Sequence, residues 1–144
     1  MAKKRSTKVP TSKAETAYEL LTDVCRVILD EPRRYAQACF IARPGGRGGA
    51  QDSRGFNKQP ACGTMGCIAG WIVTLKQGDR FSYKNTRHEA NQILGMDETE
   101  DLFAGNLLDG VKANQGTMAY ARAGVTRIRA FQNAHATQLK AKRV

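Results

Sequence analysis

Cys62 and Cys67 are the residues whose type and spacing could do chemistry in this sequence. They lie in the glycine-containing segment CGTMGCIAGW. Cys67 falls in the first turn of a predicted helix, where unpaired N–H groups and the helix dipole favour a thiolate. A nucleophilic thiol also needs a base, and His88 and His135 are the only histidines. No complete catalytic set can be identified, so the sequence predicts a binding protein, with Cys62 and Cys67 as the candidates if it is an enzyme.

Three other interpretations of this cysteine pair stay open. The two side chains could be small packed groups that fix the entry of a loop into a helix, or they could form a reversible disulfide. A Cys-x4-Cys spacing also occurs in zinc sites, but such a site needs four ligands. The remaining candidates are not paired at short spacing, so we predict no metal and no cofactor; they are Cys25, Cys39, His88 and His135.

The same segment carries a resemblance. CGTMGCIAGW is similar to a Cys-Gly-Thr-x-x-Cys-Ile/Leu-Ala-Gly-Trp/His motif of small uncharacterised bacterial and phage proteins. In these proteins a Leu-Leu-Gly or Ile-Leu-Gly and a Leu-Phe follow, and here they correspond to Ile93-Leu94-Gly95 and Leu102-Phe103. The resemblance covers residues 14–105 and implies no activity. It suggests a bacterial or phage-like protein.

Basic side chains form the second candidate site. The chain has 23 Lys and Arg against 13 Asp and Glu, a net charge of +10, and every acid lies between Glu15 and Asp109. Such a charge favours anionic partners. Glycine lets backbone amides approach phosphates, and arginine offers them a planar fork. The predicted anion-binding residues lie in an N-terminal arm, a Gly/Arg-rich loop and a final helix; they are Lys3, Lys4, Arg5, Lys8, Arg43, Arg47, Arg54, Arg122, Arg129, Lys140 and Arg143.

Neutral interpretations of these basic segments also stay open. The loop over residues 43–59 could be a flexible connector. On a continuous helix, Arg122, Arg129 and Lys140 would project within about 20° of one another, which is also typical of a solvated face. Aromatic residues are sparse near the basic positions, so base stacking is not expected. Any nucleic-acid contact would therefore be mainly to phosphates.

Helical signals dominate the part of the chain that must position these groups. Ser12 with Glu15 predicts a helix start, and Asp30-Glu31-Pro32 predicts its end. Thr64 predicts the cap of a buried central helix over residues 65–77, whose two sides are both apolar. Two further helices are predicted to start at Thr86 and Asp97 and to end at Gly95 and Gly105, and a long one runs from Thr117 to about Lys140.

These elements predict a mostly α protein. We expect one compact domain of four to five helices over residues 14–140, preceded by a flexible basic arm over 1–13 and followed by a basic tail over 141–144. The apolar stretch 61–75 contains three glycines and is shorter than the roughly 20 residues that span a bilayer. The N-terminus has no apolar signal-peptide core. We therefore expect no membrane contact and a cytoplasmic location.

Three functions fit these features. The first is a small basic binding protein that engages nucleic acid or a nucleoprotein through phosphate contacts. The second is a phage-encoded inhibitor that binds a host protein with an acidic or nucleic-acid-binding groove. A Cys-dependent enzyme is a third. The identity of the partner and the oligomeric state are not predicted.

Overall fold

The fold is mostly α-helical, as predicted. The computed structural model describes residues 11–35, 41–42, 65–77, 86–103, 108, 110–114 and 116–144. Within them it contains six α-helices, one 3-10 turn and one antiparallel strand pair. The elements are α1 (Ala17–Asp30), the 3-10 turn (Pro32–Arg34), β1 (Ile41–Ala42), β2 (Met65–Gly66), α2 (Ile68–Gln77), α3 (Thr86–Leu94), α4 (Glu100–Phe103), α5 (Met118–Ala134) and α6 (Ala136–Ala141).

Helix α1 begins four residues later than predicted. Its N-cap is Thr16, whose hydroxyl accepts a hydrogen bond from the Glu19 N–H at 3.2 Å. Ser12 instead donates its N–H to the carbonyl of Leu75 at 2.9 Å and its hydroxyl to Asp23. Both Ser12 and Thr16 have Glu three residues later, so the local pattern fits either cap. The contact with α2 assigns Ser12 to a docked segment that precedes the helix.

Helix α2 is the buried centre of the fold, as predicted. All residues from Ile68 to Leu75 are buried, including the indole of Trp71. The helix packs against α1 on one side and against α3 and α4 on others. It begins at Ile68, not at residue 65, because Met65 and Gly66 pair with Ala42 and Ile41 in the short strand pair.

Helices α3 and α4 are short and end or begin at clear capping groups. Gly95 follows α3 with φ of 70°, and its N–H donates to the carbonyl of Gln92 at 3.2 Å. The Met96 N–H donates to Asn91 at 3.0 Å, which completes a Schellman motif as the glycine predicts. Helix α4 is capped by buried Thr99, whose carbonyl accepts from Phe103 at 2.8 Å, and not by the predicted Asp97.

The predicted C-terminal helix is broken into α5 and α6. At His135 the backbone leaves the helical region, with φ of −123° and ψ of 25°. The break turns α6 toward α1, where Leu139 is fully buried. The last residues then pair with the start of α1: the Val144 N–H donates to Glu15 at 3.1 Å, and the Lys142 carbonyl accepts from Ala17 at 2.9 Å.

No helix in the described parts of the chain is both long and apolar enough to cross a bilayer.

Candidate nucleic-acid interface

The final helices, α5 and α6, both pack against α1. Gln132 of α5 is buried, and its amide nitrogen donates to the Tyr18 carbonyl at 2.8 Å and to the Thr22 hydroxyl at 2.9 Å. Burial raises the pKa of the Cys25 thiol to about 11, and the nearby charge of Arg129 opposes this rise. Arg129 lies one turn before Gln132 on α5.

Three predicted residues form what we call the basic row: Arg122, Arg129 and Lys140. All three are exposed. The ammonium of Lys140 lies 4.8 Å above the ring of Tyr18, a cation–π contact that fixes Lys140 against the first turns of α1. Arg122 and Arg129 are seven residues apart on α5, or about 10 Å along its axis. The break at His135 therefore ends the predicted continuous helix, and it leaves Arg122 and Arg129 on one side of α5 and Lys140 beside the first turns of α1.

The basic row has no acidic partner. No carboxylate in the described ranges lies within ion-pair distance of its three side chains. The acids of α1 lie on another part of that helix. At 100° per residue, Glu19 and Asp23 lie about 60–100° farther round α1 than Thr22, which faces α5. The described carboxylates therefore do not neutralise the charge of the row.

Arg143, the fourth described residue of the predicted set, is placed differently. Its backbone bridges to Thr16, and its guanidinium lies 3.4 Å from the carboxylate of Glu15. Both side chains are about three quarters exposed, so the pair contributes little stability. The neighbouring Lys142 packs its aliphatic stem over Gly95. The last residues thus anchor the C-terminus on α1 and add charge near its first turn.

The predicted arm joins the fold next to the same helix. Thr11 and Lys13 line a surface groove together with Tyr18, Thr22 and Arg26 of α1. Tyr18 and Thr22 are also the residues that contact Lys140 and Gln132. The first described residues of the predicted arm therefore lie beside the first turns of α1, in a groove that Glu19 and Asp23 also line.

The remaining predicted residues lie outside the described ranges. This holds for residues 1–10 of the arm, for the Gly/Arg-rich loop over 43–59, and for the cysteine and threonine that precede β2. They are Lys3, Lys4, Arg5, Lys8, Arg43, Arg47, Arg54, Cys62 and Thr64.

Sequence reasoning missed two exposed arginines. Arg127 lies on α5, far round the helix from the basic row, and no described carboxylate pairs with it. A search for basic residues on one side of the helix overlooks Arg127, although this residue flanks the other margin of the apolar arc of α5. Arg26 lies on α1 and pairs with Asp23 at 3.0 Å. Because Asp23 lies three residues before Arg26, the sequence indicates only an ordinary ion pair within the helix.

The other candidate site, at Cys67, is a buried cap. Its Sγ accepts a hydrogen bond from the Gly70 N–H at 3.4 Å, and its carbonyl accepts from Trp71 at 2.9 Å. Burial raises the pKa of the Cys67 thiol to about 11, and the hydrogen bonds from backbone N–H groups oppose this rise only in part. The lowered pKa expected from its position at a helix start is therefore wrong, because desolvation outweighs the helix terminus.

Cys67 lies close to a buried tyrosine pair. The rings of Tyr35 and Tyr120 lie 5.2 Å apart between centroids. Burial raises the pKa of Tyr35, with smaller contributions from Tyr120 and Cys67. The Tyr35 ring fits against the backbone of Gly124, where an added Cβ would lie 2.5 Å from its Cε2. These contacts make the surroundings of Cys67 a packed junction of α2, α5 and the 3-10 turn.

The described residues form neither a metal site nor a site with a catalytic histidine. Among them, no cluster of three or more His, Cys, Asp or Glu side chains could hold a metal. His135 packs against Phe131 with 4.5 Å between ring centroids, and His88 is exposed on α3. The contact with Phe131 makes His135 part of the packing at the end of α5.

Comparisons of the chain with protein-family models, curated proteins and solved structures gave no match.

Proposed function

We propose that this protein is a small cytoplasmic nucleic-acid-binding protein that contacts phosphates through the basic row, supplemented by the basic arm and the Gly/Arg-rich loop. The observation that carries the proposal is the exposure of Arg122 and Arg129 on one side of α5 and of Lys140 beside the first turns of α1, with no described carboxylate within ion-pair distance. Cations that a protein leaves without partners release counterions from a polyanion when they bind it, and this release drives non-specific association.

The composition of the interface favours phosphates over bases. Met118 is the one exposed large hydrophobic side chain in the described part of the chain. A single-strand platform of stacked bases needs exposed aromatic rings. Arginine and lysine suit phosphate oxygens in any sequence context, so the expected binding is only weakly sequence-specific.

A salt titration tests the proposal. The full chain should bind a 20-base-pair DNA duplex with an affinity that falls steeply as salt rises. Replacing all three members of the basic row by Gln should remove roughly three units from the log–log salt slope, about one for each lost phosphate contact. Near 0.15 M salt this corresponds to a loss of about fivefold per contact, or roughly 100-fold in the triple variant.

A matched control separates the row from net charge. The triple variant Lys76→Gln, Arg87→Gln and Lys112→Gln removes the same three charges from the end of α2, from α3 and from the 110–114 connection. It should keep most of the slope. If both triple variants lost affinity and salt slope equally, net charge alone would explain the effect. That result would contradict the basic row as the binding site. Affinity that ignores salt, or retention of one host protein after nuclease treatment with no binding of nucleic acid, would reject the proposal in favour of a protein-binding inhibitor.

A further inference from the structure

Helix α5 lies on the surface of the fold with one side packed against it. Its buried residues are Tyr120, Ala121, Gly124, Val125, Ile128, Phe131 and Gln132. At 100° per residue these positions occupy about 140° of the circumference. The other positions are exposed, apart from half-buried Ala123. More than half of the helix circumference therefore faces outward along 17 residues, or about 25 Å.

Arginines lie on both margins of this outward surface. Arg122 and Arg129 flank the margin that faces α1, next to Gln132. Arg127 lies about 150° round the helix, on the opposite margin. All three are exposed, and none has an ion-pair partner among the described carboxylates. The positive charge of α5 is thus divided between two edges.

The surface between the two margins carries no charge. It is formed by exposed residues with short side chains, so the helix is narrow on this side. These residues are Ala119, Thr126, Ala130 and Asn133. A helix with its side chains is about 10–12 Å in diameter, and the major groove of B-form DNA is about 12 Å wide. Phosphates line both walls of that groove, so a helix lying in it meets negative charge on two sides and base edges in front.

We propose that α5 lies in the major groove of double-stranded DNA, with Arg122 and Arg129 on the phosphates of one wall and Arg127 on those of the other. The inference rests on the proposed function and narrows its partner class. A-form RNA has a major groove too deep and narrow for this fit. A single strand offers no second wall to Arg127. Double-stranded DNA is therefore the form of nucleic acid whose two groove walls fit the two charged margins of α5.

The test compares three probes and two kinds of variant. The full chain is titrated with a 20-base-pair DNA duplex, the RNA duplex of the same sequence and one of the DNA strands alone. The DNA duplex should bind at least tenfold more tightly than the other two. Arg127→Gln should weaken DNA-duplex binding as much as Arg122→Gln does, about fivefold, and lower the salt slope by about one unit.

A neutral steric block tests insertion separately from charge. Ala130→Trp adds bulk to the uncharged surface and should weaken DNA-duplex binding at least tenfold, with little effect on either of the other probes. The same block at Thr126 should act alike, and thermal melting should show that both variants stay folded, since both positions are exposed. The matched control is His88→Trp on exposed α3, which should bind like the unaltered chain.

The outcomes separate this inference from the function beneath it. Salt-dependent binding that is indifferent to Arg127→Gln and to both Trp blocks would overturn the groove placement and keep a flat contact through the basic row. Equal affinity for DNA duplex, RNA duplex and single strand would overturn it too. The absence of salt-dependent binding to all three probes would overturn the proposed function and this inference with it.

Discussion

Helices α2 and α5 use their sequences in opposite ways. The sequence leading into α2 has the most distinctive pattern in the chain, and all residues from Ile68 to Leu75 are buried. Helix α5 has an unremarkable pattern of Ala and Arg, yet more than half of its circumference faces solvent. The two helices therefore differ in role: the buried α2 segment stabilises the fold, and α5 has the exposed surface that a partner can reach.

The difference teaches that a distinctive motif need not mark a reactive site. Cys67 is buried, and burial suppresses the acidity that a nucleophilic thiol would need. The charges that could bind a partner lie on residues whose individual contexts are ordinary. Only their common exposure and the lack of described acids nearby distinguish them.

Removing the Trp71 side chain is the strongest test of α2 as the structural centre. The indole is 1% exposed, so Trp71→Ala deletes a large buried ring and leaves a cavity. We expect the free energy of unfolding to fall by about 3–5 kcal/mol, measured by urea denaturation. The control His88→Ala removes an exposed ring from α3 and should change stability by less than about 0.5 kcal/mol. Similar small effects in both variants would contradict the central role of α2.

Substitution at Gly124 tests the buried side of α5 alone. Gly124→Ala would bring its Cβ to 2.5–2.7 Å from three atoms of the Tyr35 ring. The clash should outweigh the helix-propensity gain of about 1 kcal/mol, for a net loss of about 1–2 kcal/mol in thermal or urea unfolding. DNA affinity should stay unchanged in the folded protein.

The second variant at this contact makes the cause specific. Tyr35→Leu shortens the side chain that meets Gly124, so the added methyl group should then fit the space it leaves. Combined with Tyr35→Leu, the Gly124→Ala change should cost less than it does alone, which is a coupling that a double-mutant cycle measures directly. Additive losses would show that Tyr35 is not the group that excludes a side chain from Gly124.

Local sequence signals were sufficient for much of the fold. The apolar periodicity of α1, the two-sided apolar pattern of α2 and the glycine after α3 each depend on residues within a few positions of one another. Helix–helix contacts decided the rest. Ser12 and Thr16 carry the same capping pattern, and the hydrogen bond from Ser12 to Leu75 separates them. The break at His135 carries no Gly or Pro signal, and it brings Leu139 and the last residues onto α1, more than 100 residues away in sequence.

The candidate interface followed the same division. Arg122 and Arg129 could be assigned to one side of a helix from their spacing alone. Their position beside α1, and the arrival of Lys140 over Tyr18 after a break, depend on tertiary contacts that periodicity does not encode. Arg127 was missed because a sequence search favours one stripe, whereas the two margins become apparent only once the buried arc of α5 is known.

The pH dependence of stability gives the smallest effect and tests Cys67 as a structural group. Burial raises the pKa of this thiol from its ordinary value of 9.0 to about 11, so the folded protein keeps a proton that the unfolded chain loses. The thiol's contribution is complete below pH 9 and is lost as the pH rises toward 11. Between pH 7 and pH 10 it should lower the free energy of unfolding by roughly 1 kcal/mol. Cys67→Ala should remove this part of the decline, while Cys25 and Tyr35 still contribute to the remainder because burial also raises their pKa values. Parallel stability curves for the two proteins would mean that the thiol ionises as easily in the fold as outside it, and Cys67 would again be a candidate for chemistry.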